Sequence, residues 1–394
     1  MAVCFLLIIG AVGIAQAILE VSEGDRPQVA DLFTRVPTAT NLRSFERDLE
    51  TSCWFSKTLR PVMQDLRFRL LWDVGDKAVL GRQGWWFYKP DVRYLVEPPE
   101  PQDSPGSGYG PVISAIVGFR DRLAQRGIHL LVVPAPGKPG IYPDRLSHRA
   151  APTAYSGRGP THRLISELRQ AGVEVVDLFE PFLRARAGGS HDYEMPYYLA
   201  RDTHWNGNGV RLAAQVIAAR VRQLGWVPPG SVKYDLKPVS VRRRGDVLRM
   251  LDNPRIAERF PTEEAFCTQV IRCDSGQPYR DDPNASVLVL GDSFLRIYER
   301  DEPGSAGLIA HLAWELGQPL ASIVNDGGAS TLVRRQLADR PNLLGGKKLV
   351  IWEFVERDIR FGAEGWKDVF LPDPVRPSAH GTTQTEPSGA SRQP

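Results

Sequence analysis

The chain has 394 residues, 42% of them hydrophobic and 24% charged, with 49 Lys and Arg against 46 Asp and Glu for a net charge of +3. That length fits two domains or one large domain with an insertion, and the composition is that of a folded globular protein, which excludes disorder of the whole chain. A near-balanced charge with no basic run carrying interleaved aromatics argues against nucleic acid as a partner, and a mean hydropathy of −0.26 excludes a multi-pass membrane protein.

Ala2 to Leu19 is one uncharged apolar segment that ends at Glu20. It is at the short end of a spanning helix, and Ala15-Gln16-Ala17 has the small-x-small form of a signal-peptidase site. Residues 1–24 are therefore expected to be an export signal or a membrane anchor, with the anchor favoured. Residues 25–110 read as an N-terminal extension packing on the larger domain C-terminal to it. The extension has helical and connecting structure over 26–76, a turn and an aromatic strand over Val79–Tyr88, and a Pro/Gly/Ser loop from Pro98 to Gly110.

Over 111–370 the pattern becomes alternating helix and strand. Val112, Ile116, Phe119 and Leu123 recur at helical spacing, and Ile128 to Val133 is a short apolar strand. Leu164, Ile165 and Leu168 mark a helix before a strand at Val173–Val176. Leu212, Val216 and Val221 lie on a helix starting near Asn208. Residues 227–285 are polar and Arg-rich, an insertion or a β excursion. Then come a strand (Ser286–Leu290), a helix (Leu308–Leu316), a strand (Leu320–Val324), a helix (Leu332–Leu337) and a strand (Leu349–Phe354). Short uninterrupted apolar strands between amphipathic helices predict an α/β fold of three layers, α/β/α, with a mainly parallel sheet. The Pro/Ser/Thr/Gly-rich residues 371–394 are expected to be a disordered tail.

Of the four cysteines, Cys267 and Cys273 are close enough in sequence for a small-loop disulfide in an exported protein, which leaves Cys4 and Cys53 over. No Cys-x-x-Cys or His-x-x-x-His spacing exists, so no metal and no cofactor is expected.

Sites in open parallel sheets form at the carboxyl ends of the strands. The strand ending at Leu290 runs into Gly291-Asp292-Ser293-Phe294. A buried strand thus delivers a serine at its tip, where backbone N–H groups converge. Arg201-Asp202-Thr203-His204-Trp205-Asn206-Gly207 precedes a helix. In an extended segment, Asp202 and His204 point to one side, which suits a histidine base oriented by a carboxylate. The strand ending at Val324 leads to Asn325-Asp326-Gly327-Gly328, where Gly328 or Gly327 can offer a second oxyanion N–H beside that of Ser293. His191-Asp192 is a weaker alternative base. His129 and His311 fall within elements, and His148, His162 and His380 are expected at the surface.

Ser293 in Gly-Asp-Ser after a strand, with Asp202 and His204, resembles the SGNH hydrolase-like superfamily. The Asp/His block precedes the Gly-Asp-Ser block here, the reverse of the common order. This permutation, the Asp202-Thr203-His204-Trp205 spacing, and the stretches Gly84–Leu95, Val133–Pro143 and Val350–Arg357 resemble the AlgJ/AlgX alginate O-acetyltransferase family. With only a short polar tail after the sheet domain, the AlgJ-like branch is the expected one. The resemblance covers residues 75–360. One departure stands out: the Gly-x-Asn-Asp of most SGNH enzymes is missing after the strand at Leu349–Phe354. That leaves the third oxyanion donor unassigned, with Arg357 as a candidate.

The resemblance implies acetyl transfer through a Ser293–His204–Asp202 triad onto hydroxyls of alginate or a related exopolysaccharide. The Ser293 and Gly328 amides would bind the oxyanion. Trp205, Trp85, Trp86 and Tyr88 are candidates for sugar stacking, with core packing favoured for Trp86; Arg296 and Lys138 are candidates for uronate carboxylates. It also implies a periplasmic protein tethered to the inner membrane, with a multi-pass membrane acyltransferase as acetyl supplier and other polymer-secretion proteins as partners. Two rival readings are a carbohydrate acetylesterase using the same triad and a non-catalytic scaffold of a secretion complex.

Overall fold

The computed structural model describes residues 2–30, 34, 36, 38–97, 109–150, 159–188, 196–251, 253–362 and 364–372. Most of the loop expected at Pro98–Gly110, the pair His191-Asp192, His380 and nearly all of the expected tail lie outside these residues.

The elements in chain order are helices α1 (Ala2–Ser22), α2 (Ala39–Ser52) and α3 (Trp54–Leu71), strands β1 (Ala78–Leu80) and β2 (Trp86–Tyr88), then α4 (Lys89–Val96) and α5 (Gly110–Ala124). Next are β3 (His129–Ala135), α6 (Pro160–Gln170), β4 (Glu174–Val175), α7 (Phe179–Gly188) and α8 (Gly207–Leu224). The last third holds β5 (Tyr234–Arg243), β6 (Glu263–Arg272), β7 (Val287–Gly291), α9 (Leu308–Leu316), β8 (Ala321–Val324), α10 (Leu332–Ala338) and β9 (Leu349–Val355).

Five strands form one sheet in the order β4-β3-β9-β7-β8, every pairing parallel. Side chains alternate along each strand, so the sheet feeds two cores. Leu131, Val133, Val287, Val289, Leu349 and Ile351 pack with Val210, Ala214, Ile217 and Val221 of α8 and with Leu308 and Leu312 of α9. Leu130, Val132, Leu288, Leu290, Val350 and Trp352 pack with Ile116, Phe119 and Leu123 of α5, Leu164 and Leu168 of α6, and Val333 and Leu337 of α10. This is the three-layer α/β/α architecture that the apolar strands predict. Burial on both faces is why those strands read as continuous apolar runs.

Two antiparallel ribbons sit outside the sheet. β1 pairs with β2, and β5 pairs with β6 over ten residues, from Tyr234↔Arg272 to Arg243↔Glu263. A third apolar cluster lies where Phe68 of α3, Trp86 of β2 and Val247, Leu248, Leu251 and Ile256 meet. The N-terminal helices therefore rest on the segment between β5 and β6 through Phe68, Trp86 and Phe260.

The cysteines depart from expectation. Cys267 lies inside β6 and Cys273 one residue past its end, so an extended backbone separates them by roughly 20 Å, far beyond disulfide reach. The expected small-loop disulfide is absent: Cys53, Cys267 and Cys273 are free, the first two buried. The apolar N-terminus is helical, but described side chains begin at Gly10, and among the described residues no helix is long and apolar enough to cross a membrane.

Candidate active site

The carboxyl ends of β7, β8 and β9 meet the β2 ribbon and the β5–β6 segment around a cleft of about 630 Å³. Tyr88, Thr203, His204, Asp246, Arg249, Met250, Ser293, Arg296, Asp326, Gly327 and Arg357 are among its lining residues.

Ser293 follows from how β7 ends. A Cβ on Gly291 would sit 2.4 Å from Glu353 Oε2 and 2.5 Å from Leu295 Cδ1, so β7 reaches β9 only because this residue has no side chain. Asp292 caps the four-residue turn Ser293–Arg296: its Oδ1 accepts the Phe294 N–H at 2.8 Å. Its Oδ2 accepts the Val355 N–H at 3.1 Å, and its own N–H donates to Glu353 Oε2 at 3.2 Å. Asp292 thus ties the tips of β7 and β9 together, and Ser293 is left half-buried and facing the cleft. Burial, followed by the Asp292 charge, pushes the Glu353 carboxyl well above its usual range.

His204 lies on a tight loop before α8. Its Nε2 is 2.8 Å from Ser293 Oγ, and its Nδ1 is 2.6 Å from Asp202 Oδ1. Asp202 is fully buried and sits behind the imidazole rather than beside it in the cleft. The link between the two is therefore local: Asp202 Oδ1 also accepts the His204 N–H, at 3.1 Å. Asp246 gives the ring a second carboxylate, its Oδ2 3.4 Å from His204 Nδ1. It also holds Thr203, accepting the N–H at 2.7 Å and the hydroxyl at 2.6 Å, and its own N–H donates to Asp202 Oδ2 at 3.1 Å.

These contacts set the charges. Burial alone would raise the Asp202 pKa, but the charge and hydrogen bond of His204, helped by Arg243, hold it far below the usual carboxylate range. Burial alone would lower the His204 pKa, but Asp202 and then Asp246 outweigh it and raise it. Asp246 is pushed up to about 6 by burial and by the charge of Asp202.

Asp202, His204 and Asp246 bring donor atoms within 4.8 Å of one another, a group that by composition can hold a metal ion. Here those atoms are engaged in hydrogen bonds with Thr203 and among themselves, so the donor set fits a proton-handling network better than a metal centre.

The other expected site residues divide. Tyr88, half-buried, lines the cleft beneath Arg357, whose guanidinium lies 5.3 Å from the ring centre. Arg357 pairs with Asp91 at 3.0 Å; burial opposes its charge, but Asp91, Asp358 and Asp292 outweigh that and raise its pKa. Arg296 lines the cleft with its guanidinium already paired to Asp301 and Asp326.

Trp205 does not reach the cleft. It is fully buried between Phe182 and Phe294, with its indole N–H on the Phe294 carbonyl at 3.2 Å. Trp85 packs against Tyr142, and Trp86 meets Phe260 edge to face, both in the core. Lys138 is buried too. Its ammonium donates to the carbonyls of Leu199, Ala200 and Asp202 at 3.1, 3.0 and 2.6 Å, so it buttresses the Asp202 loop instead of meeting a sugar carboxylate. Burial lowers it to about 8. Gly328 is buried with its N–H on the Asn325 carbonyl at 3.1 Å, and the residue that lines the cleft is Gly327. The second oxyanion N–H expected of Gly328 is thus engaged elsewhere.

Sequence reasoning missed Asp246, Thr203 and Glu263, whose carboxylate accepts the N–H groups of Ala200 and Arg201 at 2.7 and 3.2 Å. One signal was available: Gly245-Asp246 repeats the Gly-Asp pair of Gly291-Asp292 at the start of a short helical turn, here with Gly245 as the cap and Asp246 as the first helical residue.

The model of the family described as SGNH hydrolase-like domain, acetyltransferase AlgX, matches residues 78–356, which contain every cleft element except the cleft residues past Glu356. The chain belongs to this family. It is 26% identical over 250 residues to the Azotobacter vinelandii protein named "Probable alginate O-acetylase AlgJ", and spans about three-fifths of that relative's length (61%). Its fold is similar to the O-acetyltransferase domain of Pseudomonas putida AlgJ, with a TM-score of 0.56 at 22% identity over 72% of this chain and 91% of that one. Pseudomonas aeruginosa AlgX follows with 0.53 at 18% identity, covering 71% and 62%.

Proposed function

We propose that this protein is an O-acetyltransferase that moves an acetyl group through Ser293 onto hydroxyls of alginate or a related exported polysaccharide. The observation that carries the reading is the relay Asp202–His204–Ser293 at 2.6 and 2.8 Å, opening on a cleft at the tips of parallel strands. The names of the AlgJ and AlgX relatives supply the acyl group and the polymer class.

In the first half-reaction Ser293 Oγ attacks the carbonyl carbon of an acetyl ester, and its proton passes to His204 Nε2. Asp202, held ionised, stabilises the imidazolium. The Ser293 amide at the head of its helical turn receives the oxyanion, and Arg357 supplies positive charge to the same cleft in place of the missing Asn. Collapse releases the donor alcohol, which takes the proton from His204. In the second half-reaction a sugar hydroxyl gives its proton to His204 and attacks acetyl-Ser293. The C–Oγ bond breaks and Oγ recovers the proton. Tyr88, under Arg357, is the aromatic surface offered to a sugar ring.

The rest of the assignment belongs with this reading. Residues 1–24 serve as signal or anchor, 25–110 as an extension on a catalytic domain of 111–370 with 227–285 as its insertion, and 371–394 as a tail. The protein works in the periplasm at the inner membrane, supplied by a membrane acyltransferase.

The test is a product assay. The full chain is incubated with a chromogenic acetyl ester and with uronate or neutral oligosaccharides, and the sugars are weighed by mass spectrometry. Acetylated oligosaccharide is expected, with Ser293→Ala lowering its formation by about 10⁴-fold or more. Ester cleavage with water as the only acceptor would make the protein an acetylesterase. Equal product from Ser293→Ala would leave the chain a scaffold.

A further inference from the structure

Helix α3 is held to the molecule by one face. Phe68 packs against Trp86 and Phe260, and the buried Asp65 pairs with Arg259 at 2.8 Å. At 100° per residue, the opposite face carries Leu59, Val62, Met63, Leu66 and Leu70, spaced i, i+3, i+4, i+7 and i+11. All five are exposed, from 37% at Leu59 to 69% at Leu70. Arg60 and Arg67 border this stripe on one side and Arg69 on the other. Arg67 and Arg69 bond Asp73 and Asp65 but leave their side chains 55% and 58% exposed. Trp54 and Trp72, at the two ends of the helix, lie off this stripe, Trp72 against Phe68 of the inward face. Its single acid, Asp65, faces inward, and its outward surface is apolar with arginines along both borders, of which Arg67 and Arg69 pair with Asp73 and Asp65.

We infer that this stripe lies in the headgroup layer of an anionic bilayer, with the leucines down and the arginines at the level of the phosphates. A continuous apolar row is unfavourable in water and marks a surface that meets something else. An apolar groove on a protein would match the leucines, but it gives no reason for cations along both borders. Lipid accounts for them, since arginines reach for phosphate while their stems stay apolar. The adjoining helix agrees: Ile14, Ile18 and Val21 of α1 share an exposed face, and α1 is joined to α3 through Gln16 Oε1 and the Trp54 N–H at 2.9 Å. The helix lies on the bilayer and does not cross it. Arg60, Met63 and Arg67 line a groove with Met250, which also lines the Ser293 cleft, so docking sets that cleft one groove away from the lipid surface.

The experiment puts a benzoylphenylalanine photocrosslinker at Leu66 of the full chain, and at Ser275 as control. Each is illuminated with protein-free vesicles of three parts phosphatidylethanolamine to one part phosphatidylglycerol. Lipid adducts are expected at 66 and not at 275, and fewer on purely zwitterionic vesicles. Leu59→Glu with Leu70→Glu, both exposed and so expected to leave the melting temperature unchanged, should lower the adduct at least about tenfold. Equal yields at 66 and 275 would overturn the inference. So would a concentration-dependent crosslink to a second copy without vesicles, or an adduct to protein in native membranes with none on lipid alone.

Discussion

Asp246 gives His204 a second carboxylate, and the consequence is a shift in the acid limb of the rate. The base must be neutral to take the Ser293 proton, so activity falls as pH drops through the His204 pKa. Asp246 helps to raise that pKa from 3.4 Å away. Asp246→Asn keeps an oxygen for the Thr203 N–H and an amide for its hydroxyl, but removes the charge. The acid limb of kcat/KM is expected to move to lower pH with the melting temperature nearly unchanged. A limb that stays in place would show that Asp246 acts on Thr203 alone. At this scale the sequence was legible where chemistry and chain position coincide: Ser293 and His204 each stand at an element boundary with a carboxylate close by. Lys138, Trp205 and Gly328 misled because a residue type is the same in a cleft and in a core. Only their burial and their hydrogen bonds to Asp202, Phe294 and Asn325 distinguish the two.

At the scale of elements, the active loop is clamped by the segment that looks least like an enzyme core. β5 and β6 bring Arg243, Asp246 and Glu263 against residues 200–204. The approach is close: a Cβ on Gly245 would lie 1.9 Å from the Arg201 carbonyl oxygen and 2.2 Å from its carbon. Gly245→Ala must push the Arg201–Asp202 backbone away, and a displacement near 1 Å costs about 10²-fold in rate. Gly327→Ala is the comparison. It adds only left-handed strain in open space, about 1 kcal/mol, since φ is +66° and nothing lies within 4 Å. Steady-state rates and melting curves of the two variants test this: a large kcat loss is expected for Gly245→Ala, and a small stability loss with most activity retained for Gly327→Ala. The sheet was readable because its parallel strands are short uninterrupted apolar runs set between amphipathic helices. The β5–β6 clamp was not, because its strands have one solvated face, and their partners on the active loop are some 40 to 60 residues away in sequence.

For the whole molecule, buried acids make stability depend on pH. Burial raises Glu299 and Glu356 to about 8, and Asp358, in the neighbourhood of Asp292, to about 7. A carboxyl whose folded pKa is raised holds its proton in the native state after the unfolded chain has released it. Folding is therefore unpenalised below the unfolded value and loses stability as pH rises toward the folded one. His204, also raised, loses its contribution in the same direction as pH passes through its folded pKa. His311, lowered to about 4 by burial, acts only below its unfolded value of 6.5. Between pH 6.5 and 8.5 all the raised groups pull together, and the melting temperature is expected to fall by several degrees. Glu356 is the group to isolate. Its Oε1 accepts the Gly137 N–H at 2.7 Å, and its Oε2 lies 2.6 Å from the Thr161 hydroxyl, which in turn contacts Tyr94 Oη at 2.9 Å. Gln reproduces the protonated acid here, with a carbonyl toward Gly137 and a donor toward Thr161. Glu356→Gln should match the parent only near pH 4.5 and exceed it increasingly above that, with an excess about 1–2 kcal/mol larger at pH 8.5 than at pH 6.5, flattening the slope. An unchanged slope would mean that Glu356 is ionised in the folded protein at pH 6.5, with the Arg357 charge beside it outweighing burial.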